Sequence, residues 1–96
     1  MKESTVETYL RKQVKEKLGG WALKFVSPGL RGVPDRLILL PNGRVVFVET
    51  KAPGKDLRTL QKYVCGQIAG LGFDVRKIDR KAQVDKLIEE VGRGGV

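Results

Sequence analysis

The stretch GVPDRLILLPNGRVVFVETK, residues 32–51, decides the fold. Two apolar runs, RLILL at 36–40 and RVVFVE at 44–49, flank Pro41-Asn42-Gly43 and read as a β-hairpin. The proline selects the loop length. In a two-residue Asn-Gly turn, Pro41 and Arg44 would be the closing hydrogen-bonded pair, and Pro41 has no N–H to give. A three-residue loop instead sets Pro41 and Asn42 at the centre of a type I turn, with Gly43 in the left-handed position that follows. That loop pairs Leu40 with Arg44 and, counted along the ladder, Asp35 with Glu49. Opposed residues share a face of a sheet, so the two carboxylates converge. The shorter loop would set Arg36 against Glu49 and send the acids to opposite faces. Lys51, two residues past Glu49, points to the same face if the strand continues that far.

Two facing carboxylates repel unless a cation lies between them or one keeps its proton. Oxygen donors without histidine or thiolate suit Mg²⁺ or Mn²⁺, which retain waters and bind phosphate oxygens. Lys51 would then stand near enough to steer an attacking water or offset charge growing on phosphorus. Composition narrows the field in the same direction. The chain has no histidine and one cysteine, which excludes imidazole triads, histidine-based phosphodiesterases, Cys/His zinc sites and an internal disulfide. A net charge of +8 on 96 residues predicts a polyanionic partner, nucleic acid above all.

Working outward, Val6, Tyr9, Leu10, Val14 and Leu18 recur at helical spacing and predict a first helix over 4–18, closed by Gly19-Gly20. WALKFV (21–26) reads as a strand and SPGLRGVP (27–34) as a loop. Asp56 is the expected cap of a second helix over 57–71, with Leu57, Leu60, Val64, Ile68 and Leu71 as its apolar stripe. FDVRKI (73–78) reads as a strand parallel to 44–49, because a helical crossover joins them. Asp79 is a candidate cap for a last helix faced by Val84, Leu87, Ile88 and Val91, and GRGGV (92–96) reads as a frayed tail. The order is α-β-β-β-α-β-α, a mixed sheet flanked by helices. The length suits one domain. No apolar run approaches the roughly 20 residues of a transmembrane helix, and no leader pattern opens the sequence, so a cytoplasmic location is expected.

GVPD followed, after a hairpin, by VETK resembles the PD-(D/E)xK nuclease signature. The fuller string KFVSPGLRGVPDRLILLPNGRVVFVETKAPGKDLRTLQ resembles the VRR-NUC branch in its short, stand-alone phage or bacterial form, over roughly residues 4–78. The resemblance implies an α/β, restriction-endonuclease-like core and a single nuclease domain spanning 1–96. It also implies Mg²⁺- or Mn²⁺-dependent endonucleolytic cleavage of DNA. Asp35, Glu49 and the carbonyl of Thr50 would be metal ligands, and Lys51 the catalytic lysine. Stand-alone members are similar to homodimeric Holliday-junction resolvases, so a homodimer cutting four-way junctions is the expected form. The alternatives are a flap or other structure-specific nuclease, or a DNA-binding module that kept the fold without the activity. A restriction endonuclease fits less well, for want of a base-reading element.

The family often supplies a further acid from the first helix, which makes Glu7 a candidate metal ligand, with Glu3 one turn earlier as its substitute. Ser4-x-x-Glu7 also fits a capping box that would turn Glu7 back on Ser4. Gln61 falls on the buried-looking side of the second helix, where a polar group needs a partner, and the family carries a glutamine near the active site here. Lys24, Arg31, Arg36, Lys55, Arg58 and Lys62 are candidate phosphate contacts as a cluster. Trp21 and Tyr63 are expected in the core or a dimer contact rather than as base-stacking platforms, and Cys65 as a small buried filler.

Overall fold

The computed structural model describes residues 2–94, with Glu3 in its backbone only. The chain begins with α1 (Glu3–Leu18), whose Val6, Leu10 and Val14 are fully buried while Tyr9 and Leu18 flank them. Gly19 ends it in the left-handed conformation (φ 65), which glycine adopts without a Cβ penalty. Gly20 then passes so close to the Leu39 backbone that a Cβ would lie 2.5 Å from its carbonyl oxygen. β1 (Trp21–Lys24), β2 (Arg36–Leu40), β3 (Arg44–Thr50) and β4 (Asp74–Ile78) form one sheet in the order β1-β2-β3-β4. The first three are antiparallel, and β4 runs parallel to β3 after the crossover through α2 (Thr59–Gly70). The chain closes on α3 (Lys81–Gly94). The expected α-β-β-β-α-β-α order is the observed one.

Side-chain alternation gives the sheet two unlike faces. Ala22, Ile38, Leu40, Val46, Val48 and Ile78 pack against α1 and against Val84, Leu87 and Val91 of α3, making the main core. At roughly 1.5–3 kcal/mol for each fully buried aliphatic side chain, this layer dominates stability. The other face carries Phe25, Phe47 and Phe73, with ring centroids 6.1 Å and 5.6 Å apart along the row, and is covered by α2 through Val64 and Cys65. Cys65 is buried as expected.

The hairpin has the register that the three-residue loop requires, with Leu40 opposite Arg44 and Arg36 opposite Val48. Its turn differs in detail: Asn42 (φ 67) and Gly43 (φ 74) are both left-handed, so the type I geometry expected at Asn42 is not formed. Asparagine tolerates this conformation better than other residues with a side chain, and the pairing count is unchanged.

Other boundaries move for identifiable reasons. β1 stops at Lys24, two residues early, ahead of Ser27-Pro28, where the residue before proline is restricted. α2 begins at Thr59, not Leu57, because Asp56 bonds the neighbouring Leu57 N–H (2.7 Å), and Gln61 Oε1 caps the helix by accepting the Arg58 N–H (2.9 Å). The expected α2 stripe is rotated, with Leu60 48% and Leu71 78% exposed and Val64 and Cys65 turned inward. Asp79 does not cap α3; its carboxylate holds other partners, described below. α3 runs to Gly94, so residues 92–94 of the expected frayed tail are helical, and Gly95 and Val96 lie outside the described residues. Among the described residues no helix is long and apolar enough to cross a membrane.

Candidate active site

The open end of the β2–β3 hairpin is where the chain gathers its acids. The loop ahead of β2 is anchored by Gly32 (φ 87), where a Cβ would meet Leu60 and Val64 of α2 at 3.0–3.1 Å, and by the buried ring of Pro34. Only glycine allows this approach and this backbone angle together. Asp35 follows, with its carbonyl accepting Phe25 N–H (2.8 Å) and its own N–H donating to Glu49 Oε1 (3.1 Å). Asp35 Oδ1 accepts the Thr50 N–H (2.8 Å), and Oδ2 is bonded to the Thr50 hydroxyl.

Glu49, on β3, is 6% exposed. Its Oε2 accepts from Gln61 Nε2 (3.1 Å) and lies 3.4 Å from Lys51 Nζ. Lys51 shares Glu49's face because pairing with β4 continues one residue further, the Lys51 N–H donating to the Ile78 carbonyl (2.9 Å). Gln61 therefore has the partner its position demands, and it joins the cap of α2 to the Glu49 carboxylate. Glu7 reaches the site from α1: Oε1 meets the Thr50 hydroxyl at 2.9 Å, and Oε2 pairs with Arg36 at 3.0 Å. The capping-box alternative is not formed, since α1 has no side-chain cap. The side chain of Glu3 lies outside the described residues.

Electrostatically the site is unfinished. Burial pushes the Asp35 carboxyl above its ordinary range despite two bonds from Thr50, and the Glu7 charge adds to the rise. Glu49 is raised by burial first and then by the Asp35 charge, with Lys51 opposing. Burial would raise Glu7 too, but the Thr50 hydroxyl and Arg36 outweigh it and hold it low. Thr50 has one hydroxyl proton and two carboxylate neighbours, so the hydroxyl cannot satisfy both anions. Among the described residues no three acidic side chains lie close enough to enclose an ion alone.

The cationic residues divide into two kinds. Lys24, Arg31, Lys55 and Arg58 are exposed, as is Lys62, which pairs with Asp56 (3.1 Å). Arg36 is not outward-facing as expected for a phosphate contact. Its side chain is 11% exposed, bound to Glu7, with a buried Nε that has no partner among the described residues. Hairpin register held that signal, since Arg36 pairs with Val48 and so shares the buried face. The same alternation puts Thr50 with Val46 and Val48, where its hydroxyl had to find polar company. Trp21 (63% exposed) and Tyr63 (65%) are not core residues.

No family model matches the chain. A solved VRR_NUC domain is similar to it with a TM-score of 0.83 and 34% sequence identity, over 91% of this chain and 94% of that one. The chain belongs to the VRR-NUC family. It is also 47% identical over 79 residues to "Putative nuclease p44" of Acyrthosiphon pisum secondary endosymbiont phage 1, which covers 82% of this chain and 84% of that protein. The VRR-NUC nuclease fold thus carries its acid pair and lysine at the hairpin end, with Glu7 and Gln61 brought in from the helices on either face.

Proposed function

We propose that this VRR-NUC nuclease is a Mg²⁺- or Mn²⁺-dependent endonuclease that hydrolyses phosphodiester bonds in branched DNA, four-way junctions first, as a homodimer. The observation that carries the reading is the meeting of Asp35, Glu49 and Lys51, with the Asp35 N–H on Glu49 Oε1 at 3.1 Å and Lys51 Nζ 3.4 Å from Glu49 Oε2. A module that only bound DNA would gain nothing from buried carboxylates aimed at a phosphate.

The donor set fits a hard divalent ion. Asp35 and Glu49 offer spare lone pairs on oxygen, both are raised by burial and by neighbouring negative charge, and the shared Thr50 hydroxyl leaves an excess that a cation relieves. Two carboxylates with the Thr50 carbonyl match the sparse protein ligation of magnesium, and Glu7 stands close enough to act through water. The chemistry such an ion supplies when bound is polarisation of a phosphoryl oxygen and acidification of water. The chain's own groups do the rest. Gln61 fixes one Glu49 oxygen, Thr50 fixes both Asp35 oxygens, and the Lys51 ammonium is placed to orient water and to offset charge developing on phosphorus. Exposed Lys24, Arg31, Lys55 and Arg58 supply phosphate contacts around the site.

The homodimer is supported by the outer face of α2. Leu60 and Tyr63 are 48% and 65% exposed there, Leu71 just past the helix end is 78% exposed, and Leu30 (53%) lies in the loop that packs against the helix start. An apolar patch of this kind on a small domain marks a contact surface, and two-fold pairing would present two equivalent sites to opposed strands. The test is incubation of end-labelled four-way junction, flap, duplex and single strand with Mg²⁺, Mn²⁺ or chelator, alongside sedimentation of the protein. Symmetric, metal-dependent nicks in the junction by a dimer are expected. Cutting confined to flaps would move the substrate to the flap alternative, and no cutting in any arm would refute the nuclease mechanism.

A further inference from the structure

A groove of about 450 Å³ runs between α1 and the edge strand β1, lined by Thr8, Arg11, Lys12, Lys15, Trp21 and Leu23 among others. Thr8, Arg11, Lys12 and Lys15 follow one another at i, i+3, i+4 and i+7 and so form one stripe of the helix. The three cations are exposed, and among the described residues none of them makes an ion pair. β1 pairs only with β2, so its outer backbone groups face this side unpaired.

The groove is aligned with the site. Its near end is Thr8, the neighbour of Glu7, and the end of β1, where Lys24 pairs with Arg36. Its far end is Lys15 and Trp21, seven residues of helix or about 10 Å further on. A strand leaving the acid cluster along α1 therefore meets three free cations in succession and then an indole that is 63% exposed.

The geometry points to this groove as the seat of an unpaired DNA strand, with Arg11, Lys12 and Lys15 on successive phosphates and a base stacked on Trp21. Stacking selects the single strand, because the bases of a duplex have no free face to offer. Charge selects nucleic acid over a second copy, since a chain of net charge +8 would bring like charge to a basic groove. The inference rests on the nuclease reading and extends its substrates from paired four-way junctions to branches that present an unpaired strand beside the cut.

Trp21 is the only tryptophan in the chain, so its fluorescence reports the groove directly. Titration of the whole protein with oligo-dT in chelator should quench that fluorescence, and a blunt duplex should not. Trp21→Ala should weaken oligo-dT binding about tenfold or more, and Trp21→Phe should keep most of it. The triple variant Arg11→Ala, Lys12→Ala, Lys15→Ala should lower the slope of log K against log salt by about 2, as three single-strand phosphate contacts require. Cleavage of a short duplex-flanked substrate that reaches only the acid cluster should be unchanged in all variants, which separates the two ideas. Quenching without any metal-dependent cutting would remove the nuclease mechanism and leave the groove. Normal cutting with unquenched fluorescence, an unaltered salt slope, or a groove variant that changes only the monomer–dimer balance would overturn the groove.

Discussion

Asp79 and Asp35 are both acids drawn out of water at the end of a strand, and they have been given opposite company. Asp79, 2% exposed after β4, accepts the Gly54 N–H at 3.0 Å and Arg80 Nε at 2.9 Å, and has Lys77 Nζ at 3.7 Å. Those partners, the Arg80 bond first, hold it at about 2 against an ordinary 3.8. Asp35 has a threonine and two other acids near it, and it is pushed up. Burial alone therefore does not tell a structural acid from a functional one; the sign of the surrounding charge does. Asp79 is complete and ties the loop after Lys51 to β4, while Asp35 and Glu49 keep an excess of negative charge that the proposed cation would relieve.

The largest effect expected from this contrast is on cleavage. Asp35→Asn keeps the hydrogen-bonding shape at Thr50 and removes the charge, so nicking should fall by at least about a thousandfold, the several kcal/mol that ion-assisted chemistry is worth. Its stability should move the other way. An acid whose pKa is raised by folding opposes the folded state once ionised, so the variant should melt above the wild type at neutral pH, with the advantage vanishing in acid. An active Asp35→Asn enzyme, or one that melts lower throughout, would erase the distinction.

Asp79→Ala comes next and should do the reverse. Its depressed pKa contributes about 2 kcal/mol that is fully present above pH 4 and is lost as pH falls through 4 to 2. In a domain of this size that is roughly 10 °C of melting temperature at pH 7, with wild type and variant converging near pH 2. Junction cutting at a temperature where the variant is folded should survive. Loss of activity out of proportion to folding would show that the Gly54 loop belongs to the site itself.

A smaller effect is expected at Gln61, which touches Glu49 and the α2 cap together. Gln61→Ala should cost about tenfold or somewhat more in cleavage, the usual range for a residue that orients a ligand. If it acts as a positioning residue, its loss should shift the metal concentration needed for half activity, whereas simple fraying of α2 would lower the melting temperature and leave the metal titration in place.

These contrasts mark what the sequence could disclose. Pro41 chose the hairpin register, and the register alone brought Asp35 and Glu49 together. Gln61 declared itself as a polar residue on the inner side of a helix, and α1 and α3 showed their stripes because each buries a full face. What stayed hidden depends on partners distant in the chain. Glu7 and Arg36 are 29 residues apart, and Asp79 and Gly54 are 25 apart, and neither distance leaves a local pattern. The inward face of α2 stays hidden for a different reason: Leu60 and Leu71 are apolar and helically spaced, so periodicity counts them as core, although they lie outward where a partner surface is proposed.

The smallest predicted effect concerns Glu7, which stands between the two kinds of acid. It is held low like Asp79, through Arg36 and Thr50, yet it shares the Thr50 hydroxyl with Asp35. If Arg36 is there to keep Glu7 ionised, the two residues are energetically coupled, and a double-mutant cycle of Glu7→Gln and Arg36→Met measures the coupling free of what each change does elsewhere. A partly buried pair at 3.0 Å should give about 1 kcal/mol of coupling in thermal or urea unfolding. Each single change should be worse than the pair, since each leaves a polar group partly buried without its partner. The cleavage readout then assigns Glu7. If it serves the ion through water, Glu7→Gln should raise the Mg²⁺ needed for half activity in the Arg36→Met background as well, where the ion pair is already gone. A metal requirement that moves only when Arg36 is present would instead make Glu7 a structural acid of the Asp79 kind.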